Sequence, residues 1–327
     1  MTAETGPASE PIPDWPGQQI SLGDYQVYVR SVPADRADAD PAGREPAHRE
    51  PAHREPALCV HGLAGSSRNW TDLMDLLRPV LACEAVDLPG FGDSPPRPDG
   101  RYSIGAFAET VTALIQRRGR GQVHLIANSM GGAVAVKVAA AHPELVRTLT
   151  LISPALPESR VRRDMIWFPL MSLPQVGPRL LRRYEVLPPE NRVADVITTC
   201  YSDPGRFPPA RFATEVAELT RRDALGWAPD ALQGSVRALT AEFLRRSAWR
   251  DAAKITVPTL VIYGSDDRVV DARTAGRAAH TFANGRVVVL PHTGHVAQME
   301  QPAQVAAEIG VLLGTPRVRE FPLAPAG

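Results

Sequence analysis

A serine, two aspartates and two histidines supply the residue types from which an acyl-transfer site could be assembled. Ser129 lies in the run L-I-A-N-S-M-G-G at residues 125–132, Asp266 and Asp267 in Gly264-Ser265-Asp266-Asp267-Arg268, and His292 and His295 in Pro291-His292-Thr293-Gly294-His295. A serine hydroxyl is a weak nucleophile until a neighbouring base takes its proton; an imidazole can do this, and a buried carboxylate can hold that imidazole in the productive tautomer. The G-x-S-x-G pattern of a nucleophile turn is present with Ala127 in its first position and Gly131 in its last. By itself the pentapeptide reads equally well as a tight turn, and its weight comes from what accompanies it.

Each polar point falls just past a run that reads as a buried strand. Apolar residues from Val123 break at Asn128-Ser129, and Ala133, Val134, Val136, Val138 and Ala139 follow at helical spacing, so Ser129 sits on a strand-to-helix corner. There its oxygen projects from the strand end, and the first amides of the helix face a developing oxyanion. Residues 259–263 read as a strand before the aspartates and 286–290 as one before His295, with helices over 271–282 and 302–313. Further strands are expected at 26–32, 58–60, 83–86 and 146–152, and a helix over 103–117 with Ser103 as its cap. The loop His61-Gly62-Leu63-Ala64-Gly65-Ser66-Ser67 is made of small residues whose amides could turn toward an oxyanion, while Asp87 and Asp93 read as turn formers.

Strand and helix alternate from residue 58 onward, the signature of a mostly parallel, doubly wound α/β sheet. The carboxyl ends of such strands share one edge, where ligands bind, and this edge would collect Ser129, the Asp266-Asp267 pair and His295. The alternation stops over about 158–250, where amphipathic segments at 191–201, 209–220 and 229–246 read as an inserted helical module. Met165, Trp167, Phe168, Leu170 and Met171 read as packing within it, with a role in lining an apolar pocket as the alternative.

These stretches together resemble the α/β-hydrolase superfamily over residues 20–314. The marks are His61-Gly62, Asp87 to Ser94, Asn128-Ser129-Met130-Gly131-Gly132, Gly264-Ser265-Asp266-Asp267-Arg268, and Gly294-His295 with Glu300. The resemblance implies Ser129 as nucleophile, His295 as general base and Asp267, the third residue after Gly264, as the acid; His292 then fixes a loop, and Asp266 is a turn or solvated carboxylate. It also implies an oxyanion hole from the backbone amides of Leu63 and Met130, and a helical cap over 158–252. The expected organisation is a disordered tail at 1–18, a core at 19–157 containing a proline-rich repeat loop at 40–57, the cap at 158–252, the rest of the core at 253–314, and a tail at 315–327. Departures from the pattern are Ala127 for glycine and Asp271 where many relatives carry proline; Asp271 can cap the next helix.

Serine at the corner, where epoxide hydrolases and haloalkane dehalogenases of this superfamily carry aspartate, points to hydrolysis of an ester or similar acyl substrate. A second branch, the carbon-carbon bond hydrolases of meta-cleavage type, is also similar, although its members place tryptophan where this chain has Val296. A non-catalytic or receptor-like use of the fold is the alternative from another class.

Composition bounds the partners. The 327 residues carry a formal net charge of zero and no basic stripe, which argues against nucleic acid. No apolar run reaches the roughly 18 residues of a membrane span. The N-terminus is acidic without a charged-then-apolar leader, so a cytoplasmic protein is expected. Cys59, Cys83 and Cys200 read as reduced thiols, and neither a cofactor nor a metal is expected. The substrate is expected to be a small, apolar acyl compound. The repeat of Arg-Glu-Pro-Ala-His around His48 and His53 reads as an extended solvated loop, because proline every fifth residue blocks helix and sheet interior.

Overall fold

The computed structural model describes residues 12–33, 54–157 and 170–315. Strand β2 (Gln26–Ser31) shows the half-covered pattern, with Val27 and Val29 buried and Gln26 exposed. Strand β5 (Val123–Asn128) is buried at every position, as a central strand covered on both faces must be. With β1 (Gly17–Ser21), β3 (Glu55–Val60), β4 (Leu81–Val86), β6 (Val146–Ile152), β7 (Thr259–Gly264) and β8 (Gly285–Leu290) they form an 8-stranded sheet in the order β1-β2-β4-β3-β5-β6-β7-β8. Strand β2 runs antiparallel to both of its neighbours, β1 and β4, and every pair from β4 across to β8 is parallel.

The register aligns the strand ends that carry the site. Val60 is paired with Ala127, Asn128 with Ile152, Ile152 with Ile262, and Gly264 with Leu290. The segments after β3, β5, β7 and β8 therefore emerge on one edge.

Helices α1 (Thr71–Leu77), α2 (Ile104–Arg118) and α3 (Met130–Ala141) precede β6; α4 (Gly177–Glu185), α5 (Pro189–Cys200), α6 (Pro209–Asp223), α7 (Ala228–Arg245) and α8 (Ser247–Ala252) lie between β6 and β7; α9 (Thr274–Thr281), α10 (Ala297–Glu300) and α11 (Pro302–Leu313) complete the fold. Alternate residues of each strand feed opposite layers. Leu58, Val60, Leu125 and Ala127 pack toward Phe107 and Val111 of α2 and Val134 of α3, whereas Cys59, Ile126 and Ile262 pack toward Leu73 of α1 and Ile309 of α11. Each fully buried Leu or Ile contributes about 1.5–3 kcal/mol by this burial. Cys59 and Cys83 are buried free thiols, and burial pushes the Cys83 thiol up to about 12. Helix α2 starts where its cap was expected, with Ser103 Oγ accepting from Ala106 N at 3.1 Å.

Some expected boundaries move. Residues 12–18 are ordered rather than part of a disordered tail: Trp15 is 3% exposed, its indole donates to Thr71 O at 3.0 Å, and Arg30 Nη1 donates to Trp15 O at 2.7 Å. One large aromatic with a bonded N–H is enough to anchor a segment that its composition marks as polar. The repeat loop ends sooner than residue 57, because Glu55, Pro56 and Ala57 belong to β3. Proline is tolerated there because β5 joins this strand only from Ala57. Helix α9 begins at Thr274, not Asp271; the Asp271 carboxylate instead accepts from Arg273 N in the turn before it. Residues 1–11, the repeat with His48 and His53, the residues Met165, Trp167 and Phe168, and the tail after 315 lie outside the described residues.

Among the described residues between 170 and 252 there is no strand. Helices α4 to α7 each carry proline in the first turn, where its missing N–H removes no helical bond. Val193, Ile197, Tyr201 and Phe207 cluster between α5 and α6 and pack on Val296 and Met299, so this module rests on the carboxyl edge of the sheet. No described helix is long and apolar enough to cross a membrane.

Candidate active site

Ser129 has φ 53° and ψ −118°, a conformation side chains rarely adopt. Surrounding bonds enforce it: Ser129 N donates to Ile152 O at 3.0 Å, and Ser129 O accepts from Gly132 N at 2.9 Å and Ala155 N at 2.9 Å. Gly131 is required by close packing, since a Cβ there would run into the carbonyl oxygens of Val60 and His61. Ala127, in place of the glycine of the usual pattern, is fully buried in the core between β5 and the helices, so its methyl group is accommodated. The amide of Met130 is the first in α3 and has no intrahelical acceptor.

The loop after β3 is held by His61. Leu88 N donates to His61 Nε2 at 2.9 Å, which leaves Nδ1 carrying the proton and bonded to Gly62 O at 2.7 Å. Burial keeps the ring neutral, lowering its pKa to about 4 against the smaller opposing effect of the Gly62 bond. Because a trans peptide sets its N–H opposite its C=O, fixing Gly62 O fixes the direction of the Leu63 amide.

His295 is restrained at ring and backbone. Its Nδ1 meets Asp267 Oδ2 at 2.9 Å, its N–H donates to Cys200 O at 2.7 Å, and its carbonyl accepts from Asn128 Nδ2 at 3.1 Å. The Asp267 carboxylate also accepts from Val269 N at 2.8 Å and Val270 N at 2.9 Å. Burial pushes the Asp267 pKa up, but the neighbouring His295, their hydrogen bond, the Val270 amide and the Ser153 hydroxyl outweigh it and hold the carboxyl below its ordinary value. An ionised Asp267 places the proton on Nδ1 and leaves Nε2 as the lone-pair nitrogen.

Asp266 and His292 stand apart from this pair. Asp266 accepts from Ser202 Oγ at 2.8 Å and Ser265 Oγ at 3.0 Å; the His292 side chain is 83% exposed and lies 3.8 Å from Asp266.

Ser129, His295, Gly62 and Leu63 line one cavity of about 350 Å³, walled on the helical side by Leu181, Val193, Ile197, Leu219 and Leu232. Charged groups interrupt the apolar wall, Arg222 and Glu215 among them. Arg222 Nη1 donates to Ala64 O at 2.8 Å, and among the described residues the guanidinium forms no ion pair, whereas Asp223 is bonded to Arg192 and Glu218 to Arg221. Glu215 faces the same cavity, and its carboxyl is raised by burial and partly offset by Arg68 and Arg222.

Sequence reasoning named Asn128 and Glu300 only as parts of patterns and gave Arg222 no role. Asn128 ties the serine corner to the His295 carbonyl, and Glu300 joins the His295 loop to the turn after α5. The Asn128–His295 and Ser202–Glu300 contacts span long stretches of chain, and only residue order within the motifs could have hinted at them.

A strained serine at a strand end and a carboxylate-bound imidazole line one cavity beside the mostly parallel α/β sheet. The chain belongs to the alpha/beta hydrolase fold family, whose model matches residues 56–302. It is 28% identical over 251 residues to the dihydrolipoyllysine-residue acetyltransferase component of the acetoin cleaving system of Pseudomonas putida, covering 75% of this chain and 60% of that protein. It is 26% identical to 2-hydroxy-6-oxo-6-(2'-aminophenyl)hexa-2,4-dienoic acid hydrolase of Metapseudomonas resinovorans, covering 74% of this chain and 77% of the relative. It is 27% identical to monoacylglycerol lipase abhd6-B of Xenopus laevis, covering 76% and 72%. Membership of that family, together with relatives named as a hydrolase and a lipase, makes the chain a hydrolase.

Proposed function

We propose that the chain is a serine hydrolase that cleaves an ester or related acyl substrate through an acyl-enzyme on Ser129. His295 is the general base, Asp267 holds its ring, and the Leu63 and Met130 amides receive the oxyanion. Ser129 Oγ attacks the carbonyl carbon as its proton passes to His295 Nε2. The tetrahedral adduct then collapses, the carbon–oxygen bond to the leaving group breaks, and the departing alkoxide takes that proton. Water, deprotonated by the same ring, attacks the acyl carbon; Ser129 leaves and recovers the proton, and the carboxylic acid departs.

The observation that carries this reading is that Ser129, at φ 53°, lines the same cavity as an imidazole bonded to the buried Asp267. The apolar walls suit an apolar acyl chain, and the lipase among the relatives supports ester chemistry. Ser129→Ala is expected to lower kcat on an activated aryl ester by about 10⁴-fold or more while the thermal midpoint is kept. Turnover by Ser129→Ala at the parent's rate would end the proposal.

Arg222 favours a second reading. Burial lowers its pKa, opposed by Glu218, Glu215, Asp223 and Asp87, and its guanidinium on the cavity wall could take a substrate carboxylate. That suits carbon-carbon cleavage of a dienol keto acid, the substrate type in the name of the Metapseudomonas relative. Loss of the visible absorbance of such a compound, abolished by Arg222→Met, would favour this reading; turnover of neutral esters alone would favour the first.

A further inference from the structure

Glu300 has a fully buried side chain surrounded by donors from two parts of the molecule. Its Oε2 accepts from Gly294 N at 2.6 Å and Ser202 N at 3.1 Å, and its Oε1 accepts from Asp203 N at 3.0 Å and Arg206 Nη1 at 3.3 Å. Gly294 immediately precedes His295. Ser202, Asp203 and Arg206 belong to the turn that follows α5, whose residues Val193, Ile197 and Cys200 line the cavity.

Other bonds cross the same seam. His295 N donates to Cys200 O at 2.7 Å, and Arg206 Nη1 donates to His292 O at 2.6 Å. The backbones touch so closely that a Cβ on Gly294 would run into Cys200 O and come within 2.6 Å of Ser202 N. A buried carboxylate is costly unless its lone pairs are matched, and here three backbone amides and a guanidinium match it. An apolar residue could fill the space, but it could not hold Gly294 N and the Ser202 and Asp203 amides to one point.

We infer that Glu300 is a positioning residue for hydrolysis: it registers the loop bearing His295 against the cavity wall made by α5. Substrate wall and imidazole then keep one spacing. Glu300 acts through Gly294 and the turn at 202–206, and it touches no reacting atom. The inference rests on His295 being the general base.

The test compares Glu300→Gln, which keeps the volume but turns a donor toward these donors, with Arg206→Met, which leaves the carboxylate and its amide bonds. Both are assayed on an aryl ester below their melting temperatures, and the hydrogen-bonded Nδ1 proton of His295 is followed by NMR. Glu300→Gln is expected to lose about 10²-fold in kcat, the scale of an ångström displacement of a catalytic group, with KM within about threefold and the Nδ1 resonance shifted or broadened. Arg206→Met is expected to lower kcat by about three- to tenfold and to shift or broaden the same resonance. A folded Glu300→Gln with kcat within about twofold of the parent, or with lowered kcat but an unchanged Nδ1 resonance, overturns the inference. If Glu300→Gln does not fold, Arg206→Met decides by the same two readouts. A parent chain that hydrolyses no ester would count against the proposed function, and the resonance would still report whether Glu300 holds the ring.

Discussion

The side-chain amide of Asn128 donates to the main-chain carbonyl of His295 at 3.1 Å and to that of Ile152 at 3.0 Å. The residue before the proposed nucleophile thus grips the backbone of the proposed base, and the ends of β5 and β6 meet the loop after β8 at one amide group. Asn128→Ala would leave the buried His295 carbonyl without its donor, at a cost of about 1–3 kcal/mol, while Ile152 O keeps its bond from Ser129 N. Asn128→Asp would also face both carbonyls with a carboxylate. Thermal unfolding and kcat measured together are expected to show both variants losing stability and rate, with Asn128→Asp the worse; an Asn128→Asp as stable and active as the parent would contradict the role.

Asp267 sets both the tautomer of His295 and an acid limit. Asp267→Asn removes the acceptor that keeps the proton on Nδ1, and kcat is expected to fall by about 10⁴-fold. The carboxyl is held below its ordinary value in the folded chain. Its contribution to stability is therefore present above the unfolded carboxyl range and is lost as pH falls through the lowered folded value. Denaturant unfolding across acidic pH should show a shallower decline for Asp267→Asn than for the parent.

His61 offers a separate pH signature. Its folded pKa is lowered from 6.5 to about 4, so its contribution is full above 6.5 and is lost as pH falls from there toward about 4. The shift corresponds to about 3 kcal/mol. Asparagine can present an amide donor near the place of Nδ1, whereas phenylalanine cannot. His61→Phe is expected to lose about 10²-fold or more in kcat, the effect of losing one oxyanion donor, and His61→Asn distinctly less. Both should flatten the stability profile between the two pH values, as read by urea unfolding. Equal rates in the two variants would show that the Gly62 bond does not orient the Leu63 amide.

How legible each part was in the sequence depends on the range of the force that forms it. Strand β6 and helix α11 match their expected bounds because an apolar run and a first-turn proline are local signals. The serine corner was legible because a small-residue turn between strand and helix is local too. Strand β1 was not: Ile20 is its single large apolar residue, and it forms by pairing with β2. Trp15 and residues 55–57 were hidden by prolines and polar neighbours that say nothing of a distant partner. From the residues alone the ring bond of His295 was foreseeable only as an alignment of strand ends with the Asp266-Asp267 pair, the choice of Asp267 coming from the resemblance, and the reach of Asn128 to the His295 carbonyl and of Glu300 to the turn after α5 depends on loop courses that no local pattern encodes.

The central claim is that the hydroxyl of Ser129 is a nucleophile activated by His295. It is tested most directly by reacting the intact chain with a fluorophosphonate and locating the adduct by peptide mass spectrometry. The expected result is one adduct per chain, on Ser129, with labelling absent in Ser129→Ala and strongly slowed in His295→Ala. No adduct on Ser129, or labelling of that residue at the same rate without His295, would contradict it.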